Sequence, residues 1–475
     1  MWGAVIFLVA LLIVRISHWW YTWSNPKNHG KLPTGSMGLP IIGETLDFFS
    51  SNSLFDIPPF FTKRMQRYGP VFRTNIVGKN IIASTDPEIN YDIFQQENRS
   101  FLILYTESFM KILGRECMLV HHGNFHKYLK NLILRLVSPE NLKATLLPGM
   151  DEATRKHLDS WASFGNIEVK EGSSKMIFEY FAKILIGYDE EMAPKGKLRD
   201  NFQAFMDGLI SFPLNIPGTA YHACLQGRKN ACEVIKDTFE KRKASKTPYK
   251  DFLDQLLKEV EREDTFLNEQ IAINLIFVLL FASHETTSAA STLAIKFIAD
   301  HPDVLEELTK EHEAILKARD NDESGLTWQE YKSMTFTHMV INETVRLANI
   351  VPGILRKVVK DVEMKGYTIP AGWMVMVVPA AVHLSTDKYE NPLQFNPWRW
   401  EGQELHAGSK TFMAFGGGIR LCVGADFAKL QLAILIHHMV TKYRWSVTKG
   451  GNIVRKPGLM FPDGLHIEIS EKQKC

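Results

Sequence analysis

From Ile271 to Ser283 the chain reads IAINLIFVLLFAS, apolar on every side of a helix except at Asn274. A segment of that kind must be surrounded by apolar groups. It is shorter than the roughly 20 residues that cross a bilayer, so the surroundings must be protein. A helix can be wrapped on all sides only inside a large domain, and 475 residues suffice for one. Asn268 fits as its N-cap, and Asp300 and Pro302 close it near Ala299. Directly behind the apolar run stand His284, Glu285, Thr286 and Thr287. Polar groups inside a buried helix are costly unless paired or put to use. Serine and threonine there can also bond back to the preceding turn and bend the helix. Two readings stay open at this point: the helix surfaces here, or these groups line a site.

The rest of the chain fits one large helical body. Hydrophobic residues make up 45% and charged residues 23%, ordinary for a globular core. A net charge of +2 gives no argument for nucleic acid, and there is no zinc-finger spacing or low-complexity tract. Alternation from Val71 to Thr85 predicts a hairpin around Gly78. Helical periodicity dominates from about residue 120 to 350, and Lys365 to Val378 reads as strand. The expected fold class is mainly α with small β-sheets, in a single domain over residues 46–475. Cys117, Cys224, Cys232, Cys422 and Cys475 are odd in number and widely spaced, which is not a disulfide framework and indicates a reducing compartment. The N-x-S/T matches at Asn98 and Asn342 are then chance.

The N-terminus differs in kind. Trp2 to Val14 is unbroken apolar sequence, followed by Arg15 and a cluster of Trp19, Trp20, Tyr21 and Trp23. With Arg15 snorkelling, residues 1–23 reach the length of a membrane anchor with an aromatic interfacial belt. Arg15, Lys27 and Lys31 follow the run and no basic residue precedes it, which places the body in the cytosol. The rival, a cleaved signal peptide, lacks a basic leading region and a small-x-small cleavage site. Residues 24–45, with Pro33, Gly35, Gly38 and Pro40, form a non-helical connector.

Two further motifs carry chemistry. Phe415 to Asp426 reads FGGGIRLCVGAD: glycines allow tight turns and close approach, and a cysteine near Arg420 is biased towards its thiolate, a metal ligand or nucleophile. A buried structural cysteine near a turn is the plainer reading. In the helical segment Phe336 to Gly353, Glu343 and Arg346 lie three apart and can pair; alone, that is most often an exposed ion pair of little worth. Thr327 and Glu330 make a possible capping box just before it.

The order of these pieces resembles the cytochrome P-450 family of haem-thiolate monooxygenases: an apolar helix ending in A-S-H-E-T-T, then E-x-x-R, then FNPWRW (Phe395 to Trp400), then F-G-G-G-I-R-L-C-V-G. The loop matches F-x-x-G-x-R-x-C-x-G at Phe415, Gly418, Arg420, Cys422 and Gly424. The resemblance implies haem b, with Cys422 as axial iron ligand and the glycines packed against the porphyrin. Arg420 would reach a haem propionate and favour the thiolate, which pushes electron density onto iron. Arg356 would take the second propionate. Where many members carry W-x-x-x-R, this chain has HKYLK, giving His126 and Lys130. Glu343, Arg346 and Arg399 would form a buried network holding the loop. Ala282 to Thr287 corresponds to A-G-x-D/E-T-T, making Glu285 and Thr286 the acid–alcohol pair that relays protons to dioxygen. Ser283 replaces the usual glycine.

Finer texture, in LPTGSMGLPIIGET (Leu32 to Thr45), FPLNIPGTAYHACLQGRK (Phe212 to Lys229) and HHMVTKYRW (His437 to Trp445), resembles plant brassinosteroid and triterpenoid oxidases. It implies a microsomal enzyme of the endoplasmic reticulum acting on a bulky polycyclic isoprenoid such as an oleanane or cucurbitane, with O2 and electrons from NADPH–cytochrome reductase. Sterol oxidation and a reductase-independent isomerase or lyase are the alternatives of the same fold; a non-enzymatic haem or sterol carrier is the third. Ile350, Val351, Leu355, Met460 and Phe461 are the expected pocket residues, with Phe101 to Ile112 and Met206 to Phe212 nearby. Lys127, Lys130, Arg135 and Lys429 are the expected docking cations for the reductase.

Overall fold

The central apolar segment forms one unbroken helix, Glu269–Asp300, in the computed structural model, which describes residues 2–26, 30–53, 56–114, 116–189, 198–245, 249–319, 324–403 and 408–473. Asn268 caps it, its side chain accepting the Ile271 N–H at 2.8 Å. Its apolar window is 78% buried, so the helix runs through the protein core and is not a span. Four helices wrap it: Val169–Ile186, Ala220–Ala244, Thr335–Ala348 and Ala425–Lys442. They come from widely separated parts of the chain and share one apolar core with it.

A five-stranded sheet packs beside this helical body. Its order is Val71–Ile76, Lys79–Ser84, Met374–Val377, Ile354–Val358, Phe101–Ile103. The first two strands are the expected hairpin, with Ile76 opposite Lys79 and both turn residues, Val77 and Gly78, at positive φ. Positive φ at both turn positions is what a two-residue hairpin loop needs. Alternate residues then face opposite ways: Val71, Ile82, Val375 and Val377 pack into one cluster, Phe72, Ile81, Met374 and Met376 into another. The strand-like stretch Lys365 to Val378 divides into two elements. Tyr367–Ile369 pairs with Val362–Met364, and Met374–Val377 joins the large sheet. Two three-stranded sheets complete the structure.

Residues Trp2–Ser24 are helical and their apolar side chains stand exposed, with Ile6 and Phe7 each about two-thirds accessible. A helix that is apolar and covered by no protein fits a bilayer. The connector behind it is non-helical from residue 30 to 44, and it is tied down: Ser36 N–H donates to Arg73 O at 3.2 Å, and Arg73 N–H to Thr34 O at 3.0 Å. Lys27 and Cys475 lie outside the described residues.

Glu343 and Arg346 are fully buried on the helix Thr335–Ala348, not a surface pair. The carboxylate accepts Arg346 Nε and Nη2, both at 2.8 Å, Arg399 Nε at 2.9 Å, Trp400 Nε1 at 3.0 Å and the Asn396 N–H at 3.0 Å. Arg346 Nη1 reaches the carbonyls of His383 and Pro392 at 2.6 and 2.7 Å. His383 is fully buried, and burial, then Arg346, hold its imidazole down to about 3, so it is neutral. Its Nδ1 is 2.7 Å from Asn349 Oδ1 and its Nε2 accepts the Met413 N–H at 3.0 Å. This chain of bonds runs from Glu343 to Met413, two residues before the cysteine loop. Removing one partner of a buried ion pair strands the other. Glu343→Gln is therefore expected to lower stability by about 3–5 kcal/mol in denaturant unfolding; a loss below about 1 kcal/mol would show that the network is not what holds this region.

Candidate active site

Cys422 sits between the short 3-10 turn Gly418–Arg420 and the helix Ala425–Lys442. Its N–H donates to the Phe415 carbonyl at 3.0 Å, closing the loop. Cys422 keeps accessible surface, although protein packs closely enough around the thiol to desolvate it. Burial pushes the thiol above its ordinary value; the Gly424 N–H, which bonds to it, and Lys130 pull the other way. Gly416 and Gly418 have positive φ, 77° and 61°, as the tight turn requires. A Cβ on Gly417 would come within 2.6 Å of the Phe94 ring, and one on Gly418 within 2.2 Å of the Phe94 carbonyl. These two glycines therefore serve close packing on the helix Pro87–Gln95, while a Cβ on Gly416 or Gly424 would meet nothing nearer than 4.0 Å.

The cations around the loop also have partners of their own. Arg420 Nε donates to Glu97 Oε1 at 3.2 Å and its Nη2 to the His121 carbonyl. Arg356, on the strand Ile354–Val358, has its Nε 2.5 Å from Glu97 Oε2 and its Nη1 2.9 Å from its neighbour's carbonyl, Leu355 O. Lys130 Nζ donates to the Ile419 carbonyl at 2.8 Å, and its charge pulls the Cys422 thiol down. His126, four residues earlier on the same helix, is buried; burial, then Arg420 and Lys130, hold it down to about 4, so it stays neutral. Glu97 had no sequence signal: a single glutamate in ENRS shows no spacing to Arg356 or Arg420.

On the central helix, Ala282 and Thr286 are exposed, one turn apart, in a stretch otherwise mostly buried. Thr286 Oγ1 donates to the Ala282 carbonyl at 2.8 Å. Glu285 points elsewhere and accepts Lys170 Nζ at 2.9 Å, both side chains about a quarter to a third accessible. His284 faces the core, edge-on to Phe178 and Phe202. Ser283 Oγ donates to the Leu280 carbonyl at 3.1 Å, and the helix continues through this turn without a break. The helix Ala425–Lys442, which begins just after Cys422, packs on the central helix, so one helix pair carries both halves of the site.

The expected pocket residues are spread over three elements. Ile350 and Val351 follow the helix Thr335–Ala348, with Val351 half exposed. Leu355 packs on the sheet core, and Phe461 on the helical core, directly after Met460 at the end of the strand Gly458–Met460. Ile210 and Phe212 are exposed, Phe212 at 81%, and Ile210 lies against Gly458 of the strand Gly458–Met460. The basic face also divides. Lys127 and Arg135 are exposed, Lys130 is turned inward, and Lys429 lies 5.7 Å over the Phe415 ring.

These residues fit a haem. The donor set is a thiol with Lys130 acting on it, Arg420 two residues away on the same loop and Arg356 joined to Arg420 through Glu97, a chemistry suited to a metal macrocycle carrying carboxylates. Arg356 Nε and Glu97 Oε2 are buried and close, yet misaligned for a hydrogen bond, so the cluster has unused donor capacity. Comparison with known proteins agrees. The Cytochrome P450 family model matches residues 33–468. Cytochrome P450 87A3 of Oryza sativa subsp. japonica is 55% identical, over 96% of this chain and 89% of its own. Beta-amyrin 16-alpha-hydroxylase CYP87D16 of Maesa lanceolata is 42% identical over 100% of both chains. The solved structure of retinoic acid bound cyanobacterial CYP120A1 superposes with a TM-score of 0.82 at 26% identity, covering 93% of this chain and all of the other. By sequence and by fold, this chain belongs to the cytochrome P450 family of haem-thiolate monooxygenases.

Proposed function

We propose that the protein hydroxylates a bulky polycyclic isoprenoid, a triterpenoid of oleanane or cucurbitane type, using O2 and NADPH-derived electrons from a membrane-bound cytochrome reductase. The observation that carries this reading is the 42% identity, over the full length of both chains, to a relative named for acting on beta-amyrin, an oleanane. The exposed apolar helix Trp2–Ser24 supports an anchor in the endoplasmic reticulum membrane, where so apolar a substrate would partition. Exposed Lys127 and Arg135 are the cations left to meet the reductase.

When bound, the haem supplies activation of dioxygen and transfer of one oxygen atom to a C–H bond. The protein's part is to hold it and to move protons. Cys422 would hold the haem iron through its sulfur, with the Gly424 N–H and Lys130 favouring its thiolate. Arg356 and Arg420 would hold the cofactor's carboxylates. Phe415 fixes the loop by accepting the Cys422 N–H. Thr286 Oγ1 donates to the Ala282 carbonyl; released from it, the hydroxyl can pass its own proton on while its oxygen takes another from water. Glu285, paired with Lys170 at the accessible edge of the helix, can exchange protons with solvent and pass them on by water.

Two outcomes follow from these roles. Thr286→Ala should leave NADPH consumption running while product per NADPH falls about ten-fold or more, measured as product and peroxide against cofactor oxidised; an unchanged ratio removes the relay. The substrate reading is tested in yeast carrying the protein, a plant reductase and, in separate strains, different triterpene cyclases. An oxygenated product from an oleanane or cucurbitane strain is expected. Products only from added sterols would overturn the triterpenoid assignment in favour of steroid oxidation.

A further inference from the structure

Arg356 and Arg420 lie on different elements, and a single carboxylate joins them. Glu97 Oε2 is 2.5 Å from Arg356 Nε, and Glu97 Oε1 accepts from Arg420 Nε at 3.2 Å. All three side chains are buried, at 1%, 2% and 7% accessibility. Glu97 is itself held. Its Oε1 also accepts the Ile103 N–H at 3.1 Å, and Ile103 is the strand partner of Arg356. The turn it belongs to is closed by Asn98 N–H donating to Phe101 O at 2.8 Å, with Asn98 at a φ of 66°. So the carboxylate is fixed by backbone before either arginine reaches it.

Two buried guanidinium groups repel each other, and Lys130 adds a third cation to the same neighbourhood. Without a counter-charge they would turn apart towards solvent. A guanidinium has five donors, more than these contacts use. Among the described residues, no hydrogen bond or ion pair occupies Arg356 Nη2 or Arg420 Nη1.

We propose that Glu97 is a positioning residue for the cofactor: its carboxylate holds Arg356 and Arg420 side by side and so presents their remaining donors together to the two carboxylates of the haem. The inference rests on the reading that this loop binds a haem through Cys422. Glu97 does not touch the reacting atoms; it acts through the two arginines. It remains paired when the haem carboxylates arrive, because the cluster still has cationic charge to spare.

The test is haem transfer from the purified full-length protein to excess apomyoglobin, with the reduced, carbon monoxide-bound spectrum recorded alongside. Glu97→Gln keeps the size and removes the charge. The expected result is transfer about ten-fold faster than in the wild type, with the thiolate-type Soret band retained. The haem midpoint potential should also rise, because a negative charge has left its surroundings. Wild-type transfer, or slower transfer, overturns the proposal; slower transfer would mean that Glu97 competes with the haem for the arginines. Should Glu97→Gln not fold, Glu97→Asp takes its place, with a shorter reach and the same two outcomes. A wild-type protein without the thiolate-type band would refute the haem reading itself, and the role of Glu97 would fall with it.

Discussion

A carboxylate that water cannot reach organises the side of the molecule beneath the cysteine loop. Burying Glu343 would cost several kcal/mol if it stood alone. It stands with Arg346, Arg399, Trp400 and the Asn396 N–H, so every lone pair has a use. The cost of desolvation becomes a demand for geometry: the segment FNPWRW must close over the helix Thr335–Ala348, or the charge is stranded. From there Arg346 holds the His383 carbonyl, and His383 holds Met413. The segment that leads into the Cys422 loop is thus tied to a buried ion cluster.

The opposite wall obeys a different constraint. The central helix is buried along most of its length, so any polar side chain on it must find a partner. Ser283, His284, Thr286, Ser288, Ser291 and Thr292 all bond back to carbonyls of the preceding turn. Asn274, the polar exception in the apolar run, accepts Arg228 Nη2 at 2.6 Å. This back-bonding leaves only one turn open. At Ala282 and Thr286 the helix shows surface, with the Thr286 hydroxyl on that side and the Glu285 carboxylate turned to Lys170. The same helix is buried along most of its length and, between its ends, is exposed at this one turn.

Much of this was legible in the sequence, and for identifiable reasons. An all-round apolar helix, a hairpin with two turn residues and a capping box are local patterns, and the structure contains all three. The cysteine loop has a dense motif. Glu343 and Arg346 could be paired from their spacing, but their burial could not be read, because it depends on segments some 40 to 55 positions away. Glu97 was invisible for the same reason on a larger scale. Its partners lie at positions 356 and 420, and nothing in its own neighbourhood marks it. The glycines were legible only in part: a gap in side-chain bulk signals close approach, without saying to what, and Gly417 and Gly418 meet Phe94. Lys130 was legible as a cation near the loop; its inward bond to Ile419 was not.

The central claim is that Cys422 holds a haem iron as its thiolate. The most direct measurement is the reduced, carbon monoxide-bound spectrum of the purified protein beside that of Cys422→Ala. The account predicts the thiolate-type Soret band in the wild type and its loss in the variant, with the overall fold kept by circular dichroism. A folded Cys422→Ala that retains the band would contradict it.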